Sequence, residues 1–119
     1  MDISGLLDGI GMAVGCEIEQ DIYTGNAERY ATYTYEDERP DLIADNQTKA
    51  DTAYIQVSYF FPLDYQYMED KHKIRDYLES NGFKVTSIRC WVEDATTGYQ
   101  HIRHLLFETN YTEARRKEK

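Results

Sequence analysis

The apolar positions fall into two periods. Ile3, Leu6, Leu7, Ile10 and Val14 keep the i, i+3, i+4, i+7 spacing of a helix face and predict an N-terminal helix over 2–14. Asp2 or Ser4 could cap it, while Gly5, Gly9 and Gly11 each weaken it by up to about 1 kcal/mol relative to Ala. Such a helix forms only when docked on the rest of the domain. From residue 16 the period drops to two. A loosely alternating strand over 16–23 ends at the turn signal Thr24-Gly25-Asn26. Over 29–38 the alternation is clearer, with Tyr30, Thr32, Thr34 and Glu36 facing one way and Ala31, Tyr33, Tyr35 and Asp37 the other. Pro40 should end that strand, leaving 40–51 as a polar connection without periodicity, in the form of a long hairpin arm.

The best-patterned unit is 52–83. Ile55, Val57, Tyr59 and Phe61 form one face of a strand, and Tyr54, Gln56, Ser58 and Phe60 the other. Pro62 stops it, Asp64 is a natural N-cap for a helix over 65–80, and Asn81-Gly82 supplies a left-handed end. In that helix Tyr67, Ile74, Tyr77 and Leu78 fall on one side, and Glu69, Asp70, Lys73 and Glu79 on the other. A strand over 84–93 follows, with Ile88, Cys90 and Val92 opposite Arg89 and Trp91. The turn at 94–98 and a final strand over 99–109 complete a hairpin, and 112–119 reads as a polar tail beyond a single domain over 1–111. The order α-β-β-β-α-β-β predicts an α+β domain with both helices packed on a mostly antiparallel sheet.

Composition changes this picture in three ways. A net charge of −9 excludes nucleic-acid binding through a general basic field, and the acids Glu36, Asp37, Glu38, Asp41, Asp45 and Asp51 gather on the hairpin arm. The sequence shows neither a secretory leader nor a run of apolar residues long enough for a membrane span, and Cys16 and Cys90 are isolated, so the reading is of a soluble intracellular protein with no membrane partner. Eleven tyrosines exceed what the centre of so small a core holds, which marks Tyr33, Tyr35, Tyr54, Phe60 and Trp91 as candidates for a subunit interface on the outer sheet face.

Chemical motifs add little. His101 and His104 are three apart, and on a strand such residues point to opposite faces, so they do not jointly hold a metal. Ser58 and Ser87 lack a nucleophile-elbow context, Cys90 sits mid-strand, and no strand precedes Gly9 and Gly11 as a phosphate loop requires. The expectation is a non-enzymatic protein without a metal or other cofactor.

Several stretches carry a family likeness: Tyr23-Thr24-Gly25, the Tyr-rich strand after it, Tyr54-Ile55-Gln56-Val57-Ser58-Tyr59-Phe60, the helix end Asn81-Gly82-Phe83, and Thr97-Gly98-Tyr99-Gln100-His101. Together they resemble small tail proteins of long-tailed phages and prophages, the tail terminator and tail-completion family, related in fold to tail-tube proteins. The resemblance covers 2–111 and implies a structural ring, a hexamer in most members, that caps the tail tube and provides the head–tail joining surface. Its implied partners are copies of itself, the tail-tube protein and the head–tail connector, in the host cytoplasm during assembly and then in the virion tail. The arm at 36–51 would face the tube or the lumen, where its acids would repel DNA phosphates. Two other readings stay open: a connector or neck component of similar fold, and a monomeric protein-binding module using the Tyr-rich face.

Overall fold

Two long strands form the spine of the protein. In the computed structural model, which describes residues 3–44, 47–94 and 101–115, β2 (Tyr30–Ala44) and β3 (Gln47–Pro62) pair antiparallel from Tyr30↔Phe60 to Ala44↔Gln47. At ~3.3 Å per residue such strands reach about 50 Å, which accounts for the longest of the molecular extents, 56 × 25 × 22 Å. Around them the chain adds α1 (Ser4–Val14), β1 (Glu17–Gln20), α2 (Met68–Ser80), β4 (Lys84–Asp94) and β5 (His101–Ala114). The sheet has five strands in the order β1-β2-β3-β5-β4, with β1 parallel to β2 and the other pairs antiparallel. With two helices on a mostly antiparallel sheet, the protein is of the α+β class.

Both helices bury their apolar stripes against one sheet face. Ile3, Leu7, Ile10 and Val14 of the N-terminal segment meet Ile74 and Leu78 of α2 over Ile55, Val57, Tyr59, Phe61, Leu105 and Phe107. The close approach of the helices depends on Gly9, where an added Cβ would collide with the Tyr77 hydroxyl. That hydroxyl donates to the Leu6 carbonyl oxygen at 2.6 Å, so a residue that weakens the isolated helix is what allows it to dock.

Four expectations need correction. Residues 40–44 and 47–51 are strand rather than loop, with Pro40 opposite Asp51 and Asp41 opposite Ala50. Beyond Tyr33, β1 no longer accompanies β2, and a proline is tolerated in such an edge strand. The expected alternation of β2 also breaks: a bulge at Glu36 moves the register from Tyr35↔Ile55 to Asp37↔Tyr54 and turns Asp37 to the side of Tyr54. Next, α2 begins at Met68 without a side-chain cap, because a turn closed by Tyr65 N–H to the Pro62 carbonyl (3.1 Å) intervenes. Asp64 lies in that turn. Finally, the last strand, expected over 99–109, runs on to Ala114, since Thr112 and Ala114 pair with Thr52 and Ala50. The left-handed helix end at Gly82 is as expected, with φ of 92°. The 94–98 turn from Ala95 onward, Asp45 and the basic Arg116 and Lys117 lie outside the described residues.

A candidate interaction face on the bare side of the sheet

The sheet face away from the helices carries a row of rings. Register sets Tyr30 opposite Phe60, Phe60 opposite His104, and His104 opposite Trp91, so these residues of β2, β3, β5 and β4 share one face and one level. Ring centroids lie 4.8 Å apart for Tyr30–Phe60, 4.2 Å for Phe60–His104 and 4.3 Å for Trp91–His104. Tyr23 extends the row by stacking on Tyr30 at 4.1 Å. The loop that brings it there is held by carboxylates of β1. Tyr23 OH donates to Glu17 Oε2 at 2.6 Å, and the Thr24 N–H donates to Glu19 Oε2 at 2.6 Å. Each directly opposed pair contributes about 0.2–1 kcal/mol beyond an Ala pair, so the contacts along the row stabilise it without a helix to press on it.

His104 is the pivot of the row. Its Nδ1 lies 3.3 Å from Glu93 Oε2 and its Nε2 lies 2.7 Å from Ser58 Oγ. A carboxylate only accepts, so Nδ1 carries the proton and Nε2 accepts from the Ser58 hydroxyl. The Trp91 indole N–H donates to the same Glu93 oxygen at 3.0 Å. Burial between Phe60 and Trp91 pushes the imidazole pKa below its ordinary value, against the opposing pull of Glu93, and keeps the ring neutral.

Of the five interface candidates, Tyr54, Phe60 and Trp91 lie on this face, and Trp91 is among its exposed groups. Tyr54 stands apart from the row, covered by the Arg39 guanidinium 4.9 Å from its ring centre. Tyr33 and Tyr35 do not belong here. They sit on the helix-covered face, where Tyr33 is buried in the core and Tyr35 packs against it. Their parity follows Ala31, which is fully enclosed. Tyr30 and His104 join the site through strand order, which alternation within one strand does not reveal, and Tyr23 joins it through the loop that Glu17 and Glu19 hold.

The acids of the arm are partly neutralised within the chain. Asp37 pairs with Arg39 at 2.6 Å, and Asp51 receives two bonds from Arg115, at 2.9 and 2.7 Å. Both carboxyls are held below the usual range by these guanidiniums. Arg115 is therefore a clamp on the arm rather than part of a solvated tail. Asp41 accepts from Thr52 Oγ1 at 3.0 Å, and Glu36 and Glu38 flank Asp37 on the exposed edge of β2.

A second polar cluster lies under the helices. Asp70, expected on the solvated side of α2, is buried and accepts from Tyr59 OH at 2.7 Å and from Tyr65 OH. Arg29 reaches Tyr59 OH at 2.7 Å, the Val14 carbonyl at 3.0 Å and the Gly15 carbonyl at 3.3 Å, with Asp70 Oδ2 3.6 Å away. Burial and the Asp70 carboxylate push the Tyr59 hydroxyl pKa far above its ordinary value, so it stays protonated. An open cleft of ≈ 1010 Å³ adjoins this cluster beside Met12, Cys16 and Tyr65, but Arg29, its cation, is already committed to Tyr59 and two carbonyls. The cluster ties α1, β2, β3 and α2 together.

Among the described residues no helix is long and apolar enough to cross a membrane, and no three His, Cys, Asp or Glu side chains cluster as a metal site would require. No protein-family model matches this chain, and no curated protein matches it.

Proposed function

We propose that this chain is a structural subunit of phage-type tail assembly, a tail terminator that closes as a ring on the end of the tail tube and offers the head–tail joining surface. One observation carries the reading. Both helices cover a single sheet face, which leaves the opposite face with an ordered aromatic row and lets the β2–β3 arm run past the core. A subunit that packs between neighbours needs a rigid, ring-rich surface that tolerates both water and protein contact. The arm then lies at the tube or the lumen, where the acids of 36–51 outnumber Arg39, Lys49 and the clamping Arg115 and keep the local charge negative.

The test uses tail tubes assembled without heads. Purified protein added to them should appear in electron micrographs as a ring at one tube end, and tube length should stop increasing. Replacing Glu36 and Glu38, exposed on the edge of β2, by Lys should reduce infectious particles while leaving the circular dichroism unchanged. Protein that stays off the tubes but binds fully assembled necks would indicate a connector. A stable monomer with no affinity for either would favour the binding-module reading, in which the aromatic row recognises another protein.

A further inference from the structure

The two edges of the sheet are built differently. On one side β1 is only four residues long, and beyond it the exposed run of β2 carries the Glu36 bulge, Pro40 and a series of acids. Bulges, prolines and charges blunt an edge against further strand pairing. On the other side β4 keeps an unbroken register with β5 from Ser87 to Asp94, its bulge lying before Ser87. This run has no proline, and Cys90, Trp91 and Val92 are exposed in succession, Trp91 by 37% and Val92 by 48%. Cys90 and Val92 lie on the helix-covered side and Trp91 on the bare side, so the uncovered apolar surface wraps around the edge.

We propose that β4 is the docking edge for a second copy of this chain, paired antiparallel about a two-fold axis at Cys90 so that the two sheets become one. Charge and face-matching select this occupant and this register. The chain as a whole repels its copy, with a net charge of −9, but residues 87–93 hold one base, Arg89, and one acid, Glu93. Antiparallel pairing about a dyad perpendicular to the sheet keeps each face continuous only when the axis passes through a residue. An axis at Arg89 would set two guanidiniums opposite each other. An axis at Trp91 would set the Asp94 carboxylate opposite the apolar Ile88 and break the apolar stripe. With the axis at Cys90, Ile88 meets Val92 of the second copy, Cys90 meets Cys90, Arg89 meets the face of Trp91, and Ser87 meets Glu93. No like charges oppose, the helix-side stripe is wholly apolar, and the guanidinium–indole pair is a favourable cation–π contact.

A self-complementary edge closes on two copies and does not propagate around a ring, so the proposal stands independently of the terminator reading. Short edge-to-edge contacts are small, and the dimer should be concentration-dependent. Sedimentation equilibrium of the whole protein should show monomer and dimer, with Val92→Lys weakening association about tenfold by setting an ammonium opposite Ile88. Mild oxidation with copper–phenanthroline should link wild type and Cys16→Ser into disulfide dimers but not Cys90→Ser, and Val92→Lys should lose the link without a change in circular dichroism. A wild type that remains monomeric at every concentration overturns the proposal, as does a dimer indifferent to Val92→Lys. A dimer that Val92→Lys disrupts but Cys90 does not cross-link overturns the Cys90-centred pairing. Tube capping by Val92→Lys is a separate readout: its loss or retention bears on the ring, and the dimer is judged on sedimentation and cross-linking.

Discussion

Phe60 and Phe61 are neighbours in β3, yet they hold two different kinds of aromatic array together. Phe61 points under the helices, fully enclosed, with Tyr59, Tyr65 and Tyr67 at 5.0, 5.7 and 5.0 Å between ring centres. Phe60 points to the bare face, with Tyr30 on one side and His104 on the other. The inner array is fixed from above by α1 and α2 and anchored by a buried carboxylate. The outer array has no helix over it and is fixed by strand register, by its own ring-to-ring contacts and by hydrogen bonds to Glu17, Ser58 and Glu93. The same residue type thus serves as core on one side of a strand and as presented surface on the other, and the difference should be measurable.

The largest effect belongs to the inner side. Phe61→Ala removes a large enclosed ring and should cost about 4 kcal/mol, against roughly 1–2 kcal/mol for Phe60→Ala. Equal losses in urea denaturation would show that the bare face is as enclosed as the core, and would break the distinction. Asp70→Ala comes next. It leaves the hydroxyls of Tyr59 and Tyr65 without their acceptor and Arg29 without its counter-charge, and should cost about 3 kcal/mol, with the loss shared between α1 and α2 because the cluster joins them. A loss under about 1 kcal/mol would mean that the cluster is incidental to the docking of the helices.

The smallest effect is specific to the outer side. Burial depresses the His104 pKa in the folded protein, whereas in the unfolded chain it returns to about 6.5. As pH falls below about 6.5 the unfolded state binds the proton more readily, so stability declines until the pH passes the lower folded value. Melting temperatures at pH 7.5 and 5.5 should therefore differ more for wild type than for His104→Phe, which keeps the ring stack and removes the titrating group. An identical pH response in both proteins would remove His104 from the acid sensitivity.

Much of this was legible before the structure. Strict alternation over 52–61 placed Ile55, Val57, Tyr59 and Phe61 on the buried side, and all four are buried. The i, i+3, i+4 stripe of the first helix and the glycine at the end of the second are equally local signals, and both elements appear where those signals put them. The failures share a cause. Tyr33 and Tyr35 look like spare aromatics because periodicity defines two faces without saying which one the helices cover. Asp70 reads as solvated because its partners, Tyr59 and Arg29, are remote in the chain. Pro40 reads as a terminator because its tolerance depends on whether another strand lies alongside.

What the amino-acid order determined by itself was therefore carried by contacts within one element: the period of β3, the stripe of the first helix, the helix end at Gly82 and the acidic bias of the arm. Tertiary structure alone decided the rest, by inserting β5 between β3 and β4 and by shifting β2 one residue at Glu36. Those two choices bring Tyr30, Phe60, His104 and Trp91 to one level and leave β4 at the edge of the sheet. A period of two records which side of its own strand a residue occupies. Neighbour and level are set by long-range pairing, which local spacing does not encode.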